Sequence, residues 1–206
     1  MPKTYSDEEK QEIRRKLHRE ANDCLQHYGV KKTTVDELVA RVGIPKGTFY
    51  LFYKSKELLL FEVIQEYHEK IEQNMIKQCE QLGQALTVDL LTQIIAEGIL
   101  SVQNSCLKTL MVPEEMETLI RKLPDEVKAE HLEDDEDLML EMLGKLPLRN
   151  AQIDYKAFSG AFRAIFFSCM YQDEIGKENF YASISLMIKG LLLQLIQSGE
   201  ENESNK

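Results

Sequence analysis

TVDELVARVGIPKGTFYLFYKSKEL, residues 34 to 58, holds two short helix patterns that meet at Gly43 and a third that follows at once. Thr34 and Glu37 stand at capping-box spacing, so the hydroxyl can take a free amide at the helix start while the carboxylate reaches back. Val35, Leu38, Val39 and Val42 then share one face. Gly43 falls where a helix commonly ends in the left-handed conformation, and Pro45 where a new helix begins. A turn of this length between two helices is the helix-turn-helix arrangement.

The second helix is expected from about Pro45 to Phe52, with Lys46, Thr48 and Tyr50 turned outward and Phe49 inward beside Leu38 and Val42. A cation, a hydroxyl and a phenol on one face suit phosphates and base edges, although for an isolated triplet a plain solvated face is the simpler reading. Tyr53, Lys54, Ser55 and Lys56 lead into the third helix, with Ser55 as its expected N-cap.

The run LVARVGIPKGTFYLFYKSKELLL resembles the signature of the TetR family of bacterial one-component transcriptional regulators, and the match extends over roughly residues 6 to 61. That resemblance implies that Thr34 and Lys56 hold phosphates, that Lys46 and Thr48 reach bases or nearby phosphates, that Gly47 lets the backbone approach closely, and that Tyr50 packs on the sugar-phosphate. Leu51, Phe52 and Lys54 complete the implied DNA-binding set. Two residues depart from the family's habit: Val39 stands where alanine is frequent, and Phe52 where histidine or tyrosine is.

Working outward, Ser6 and Glu9 form another capping box, followed by Ile13, Leu17, Ala21, Cys24 and Leu25 at helical spacing up to Gly29. A long helix is expected from Lys56 to about Gln81, and another from Thr87 through Val102. Pro113, Pro124 and Pro147 divide the middle into short helices, with the acidic run at 133 to 137 as a solvated turn between them. Asp154 can cap a helix through Cys169, Gly176 ends that stretch, and a last helix runs from Glu178 to about Gln197. The expected fold is all-α, with about nine to ten helices. A head at 1–55, extending to about 70 with the linking helix, precedes an effector-binding and dimerisation bundle at 56–198 and a disordered tail at 199–206.

Net charge is −10, which alone disfavours a polyanionic partner. Its distribution reverses that: residues 1 to 60 hold twelve Lys plus Arg against nine Asp plus Glu, and the remainder thirteen against twenty-six. The patch is modest, so one head should bind DNA weakly and a dimer should be needed. The last two helices are apolar over more than one stripe, and either the core of one chain or a symmetric copy could cover them. Phe166, Phe167, Ile184, Ile188, Leu191 and Leu195 are the expected dimer contacts. The resemblance further implies a small-molecule effector in the C-terminal bundle, with Tyr67, Ile94, Glu97, Ile99, Phe158, Phe162 and Arg163 as expected lining. Arg163 and Lys189, each alone in an apolar run, are either edge residues or paired.

No secretory h-region opens the chain and no apolar run approaches the ~18 residues that span a membrane, so a cytoplasmic location is expected. Cys24, Cys79, Cys106 and Cys169 lack CxxC spacing and read as buried thiols. Cys24 and His27 share a helical face, yet two ligands do not make a zinc site. The acidic run lacks the glycine of an EF-hand loop. Without a Gly-rich phosphate loop, GxSxG or HExxH, an enzyme is not expected, and no metal or cofactor is called for. The rival reading is a helical protein-interaction module with a non-functional head.

Overall fold

The computed structural model describes residues 5–102, 105–144 and 154–200, with the side chains of a few helical residues left out. Among the described residues it is all-α, with ten α-helices, several short 3-10 turns and no strand. The chain divides into two compact units, residues 1–69 with 102–124, and 70–101 with 125–206. This is not the linear division expected at residue 55, because a segment from mid-chain packs with the head.

In the first unit, α1 (Asp7–Lys32) opens with the expected capping box: Ser6 Oγ accepts from the Glu9 amide at 3.2 Å, and the Glu9 carboxylate accepts from the Ser6 amide at 2.8 Å. Gly29 breaks the helical path with φ 74°, a conformation cheap for glycine alone. Then come α2 (Val35–Val42), α3 (Lys46–Phe52) and the start of α4 (Lys56–Leu82). A 3-10 stretch at Cys106–Met111 and α6 (Pro113–Lys122) both pack on α1. The core joins Leu17, Cys24 and Leu25 of α1 to Leu38, Phe49, Leu59 and Leu60, with Leu107, Leu110 and Leu119 from the mid-chain segment.

Two groups of contacts fasten α6 to the head. The Glu115 carboxylate accepts from the Lys31 amide at 2.9 Å and fills the space beside Gly29, where an added Cβ would lie 2.9 Å from its oxygen. Lys122 donates to Glu57 at 3.0 Å.

In the second unit lie the rest of α4, α5 (Val88–Ser101, capped by Thr87), α7 (Asp125–Gly144), α8 (Tyr155–Ser168, capped by Asp154), the single turn α9 (Gln172–Ile175) and α10 (Phe180–Glu200). α10 packs on α5 and α8. The acidic run at 133–137 is not a turn but part of the continuous α7. No glycine or proline interrupts that stretch, so nothing in its sequence forbids a helix. Pro147 and the tail beyond residue 200 lie outside the described residues.

α10 answers the question its two apolar stripes posed. Phe180, Ile184, Ile188 and Leu192 are buried at four-residue spacing within the chain, whereas Leu186 is 75% exposed and Tyr181, Met187 and Leu193 are also open. Ile184 and Ile188 therefore belong to the chain's own core and are corrected as dimer contacts. Phe167 is exposed, Phe166 and Leu191 half-buried, and the Leu195 side chain lies outside those described. Lys189 is paired, its ammonium meeting Asp89 at 2.5 Å.

The expected pocket residues separate. Ile94 and Phe162 are buried and Ile99 and Phe158 half-buried, but Glu97 is exposed on α5, held by Gln93 at 2.8 Å, and does not face the interior. Its place in the helix, one turn from Gln93 on the outer face, is the reason. Arg163 bends back to the buried Ser159 at 2.8 Å, and Tyr67 belongs to the other unit. Cys24 and Cys169 are buried, and burial pushes each thiol up to about 11. Cys79 is buried as well, and the Cys106 side chain is not among those described. No described helix is long and apolar enough to cross a membrane.

Candidate nucleic-acid interface

Local sequence builds the head's turn as read. Thr34 Oγ1 accepts from the Glu37 amide at 3.2 Å, and Gly43, at φ 76°, donates with Ile44 to the Val39 carbonyl. The second half of the expected capping box gives way to another bond. Glu37 turns to Arg41, 2.9 Å away, and Arg41 also meets Asp23 at 2.5 Å and lies over the Tyr28 ring. The hydrogen bonds it donates to Asp23 and Glu37 push the guanidinium above its ordinary value. Arg41, though exposed, thus ties α2 to α1.

α3 is fixed from beneath. Phe49 is fully buried, and truncation of such an aromatic costs about 3–5 kcal/mol. Tyr53, 5% exposed, packs against Phe49, donates to Glu62 at 3.1 Å and lies under the Arg14 guanidinium. Burial, with the Glu62 charge, holds its phenol protonated well above the usual range.

Of the three side chains expected to face outward, two do. Lys46 and Tyr50 are exposed; Thr48 is only 7% exposed, its hydroxyl 3.2 Å from that of Tyr5. Thr48 is corrected as a base-reaching group: at the first turn of so short a helix it faces the chain preceding α1. Lys46 is partly engaged, its ammonium 2.9 Å from Asp36, which holds its pKa above the ordinary value. Gly47 is exposed with nothing within 4 Å of an added Cβ, Leu51 is 72% exposed, and Phe52 is half-buried.

Lys56 is the second correction. Its side chain is 15% exposed, and its ammonium donates to the Val30 carbonyl at 2.5 Å and lies 3.5 Å from Glu57. Burial draws its pKa below the ordinary value despite Glu57. For Glu57, 8% exposed, burial works against the charge, but the bond from Lys122 and the nearness of Lys56 outweigh it and leave the carboxyl below its usual value. Lys56 thus neutralises a buried acid and donates to a carbonyl in the last turn of α1.

What remains outward is an open cleft of about 330 Å³ where α2 and α4 begin, lined among others by Lys31, Thr34, Lys46, Tyr50, Lys54 and Ser55. Ser55 Oγ accepts from the Leu58 amide at 3.3 Å, so both helices start here with a hydroxyl cap. Helix starts carry partial positive charge and suit a phosphate. Lys31 was legible only as one of a basic pair, and Tyr5 carried no signal in sequence for its place against Thr48. Cys24 and His27 do not converge, since the thiol is buried while the exposed imidazole meets the Asp23 carbonyl at 2.8 Å.

Residues 18–63 match the model of the bacterial regulatory proteins of the tetR family. A stretch of 53 residues is 42% identical to YerO, an uncharacterized HTH-type transcriptional regulator of Bacillus subtilis; it covers 26% of this chain and 18% of that protein. Among solved structures, SmeT, the repressor of the Stenotrophomonas maltophilia multidrug efflux pump SmeDEF, superposes with a TM-score of 0.57 at 19% identity over 88% of each chain. SmeT in complex with triclosan superposes at 0.53 and 17% identity, over 90% of this chain and 92% of that one. Residues 18–63 are thus similar to the bacterial regulatory proteins of the tetR family, and over most of its length the chain shares the fold of SmeT.

Proposed function

We propose that the chain is a cytoplasmic transcriptional regulator that binds a palindromic operator as a homodimer and is released from it by a small molecule. One observation carries the reading: α3 presents Lys46, Gly47, Tyr50 and Leu51 to solvent directly beside a cleft where two capped helix starts and three exposed lysines meet. Such a surface suits a helix that enters the major groove while amides and ammonium groups take the flanking phosphates. Thr34, Lys54 and Lys31 are the phosphate contacts in this reading. Lys56 and Thr48 support the surface from within.

Pairing follows from need. A head with so few free cations binds weakly, and two heads about 34–36 Å apart would reach successive turns of one duplex face. The exposed stripe of α10, Leu186 and Leu193 with Met187, together with Phe167 of α8, is the apolar surface that a second copy would cover. An effector can release DNA only by preferring a form whose head spacing misfits the two grooves. The complex of SmeT with triclosan supports a small molecule as that effector, and α4, which contributes to both compact units, is a continuous element able to carry the change.

Binding to the duplex upstream of the chain's own gene, followed by fluorescence anisotropy across a salt series, tests this. A sequence-preferring complex whose affinity falls steeply with salt is expected, and Lys54→Ala should reduce the slope by about one. Salt-insensitive binding without sequence preference favours a protein-interaction module instead.

A further inference from the structure

Reading DNA in the major groove requires groups that distinguish base pairs, and α3 is poor in the usual ones. Its seven residues, KGTFYLF, include no Arg, Asn, Gln, Asp or Glu. The paired hydrogen bonds that identify guanine come from Arg or Lys and those for adenine from Asn or Gln, while the N4 amine of cytosine donates to Asp or Glu. The single cation, Lys46, sits at the helix start and is shared with Asp36 at 2.9 Å. Thr48 is turned inward to Tyr5.

The exposed part of α3 is instead largely apolar. Leu51 is 72% exposed and lies one turn after Gly47, on the same face, where the missing side chain leaves the backbone uncovered. Tyr50, 51% exposed, lies beside it, one turn after Lys46. A leucine this open on a helix anchored by Phe49 gains nothing from its own fold, and its surroundings offer it no apolar cover. The major groove has one apolar feature on the base edges, the C5 methyl of thymine. We infer, on the basis of the DNA-binding reading above, that Leu51 is a specificity-determining residue that recognises thymine methyl groups, with Gly47 giving the closeness of approach that the contact needs. The half-site beneath α3 is then rich in A·T pairs, and its discrimination comes from buried methyl area rather than paired hydrogen bonds.

The test uses the full chain and a pool of random duplex DNA, enriched by successive rounds of binding. The site recovered is then synthesised with thymine or with deoxyuridine at each conserved T; uracil keeps every hydrogen-bonding group and lacks only the methyl. The expected result is a fall in affinity of about fourfold per methyl removed, which corresponds to about 0.8 kcal/mol for one buried methyl. Leu51→Ala should bind the thymine and uracil forms equally, near the affinity of the unaltered chain for the uracil form. Its circular dichroism should be unchanged, because the side chain it truncates is exposed.

Enrichment of a site that the unaltered chain binds equally well with uracil would overturn the inference and leave the regulator reading intact. Retention of the thymine preference by a folded Leu51→Ala chain would also overturn it. Failure to enrich any site would overturn both.

Discussion

Glu57→Gln should destabilise the chain by about 3 kcal/mol although the substitution keeps the side chain's size. The carboxylate is 8% exposed and lies between Lys122 at 3.0 Å and Lys56 at 3.5 Å, while Lys56 is itself 15% exposed. Removing one partner of a buried ion pair strands the other charge, at a cost of about 3–5 kcal/mol. Lys122 is half exposed and can return to water, so the lower end applies. In a chain of this length that corresponds to a fall in Tm of about 6–12 °C, at about 2–4 °C per kcal/mol. Lys56→Met alone leaves Glu57 its bond from Lys122, so the double variant should cost less than the two singles together, by about 1–3 kcal/mol of coupling. Thermal and urea unfolding followed by far-UV circular dichroism at one protein concentration would measure the cycle, with concentration fixed because self-association shifts apparent stability. A loss under about 1 kcal/mol for Glu57→Gln, or strict additivity in the double variant, would show an ordinary solvated pair and refute the reasoning.

The same carboxyl sets a pH dependence: its folded pKa lies below the ordinary 4.5, so the unfolded chain binds more protons in that window. Its contribution is present above pH 4.5 and lost as pH falls through the folded value; Glu57→Gln should flatten the stability profile there, and an unchanged acid limb would count against it. Gly47→Ala should raise stability by about 1 kcal/mol, since nothing stands near the new Cβ and alanine favours the helix, while weakening DNA binding by crowding the groove. Equal or tighter operator binding in a gel shift would reject the close approach. Leu186→Glu should leave the helix content intact and turn a dimer into a monomer by light scattering, whereas Ile188→Glu, fully buried, should unfold the second unit. A dimeric Leu186→Glu chain would place the interface elsewhere.

The head was readable because its signals are local. Ser6 with Glu9, Thr34, Gly29, Gly43 and Ser55 each act within a few residues, and the structure has a cap or a break at every one. What escaped was the choice among competing partners. Glu37 could bond its own helix start or Arg41, and Asp23 and Tyr28 of α1 position the guanidinium that draws it away. Thr48 turns inward toward a tyrosine 43 positions earlier, and Lys56 is claimed by Val30 and Glu57, with Lys122 joining from 65 positions after Glu57. Periodicity likewise found both stripes of α10 but carried no sign of which one α5 would cover. An acidic run read as a turn became helix because nothing in it forbids helix.

The packing of residues 102–124 against α1 makes the head inseparable from its own chain. A fragment ending near residue 69 would lose the carboxylate beside Gly29, the ammonium that reaches Glu57, and the leucines at 107, 110 and 119 that line its interior. Transplanting the reader onto another protein therefore means carrying along a distant stretch of sequence, and evolution of either stretch is constrained by the other.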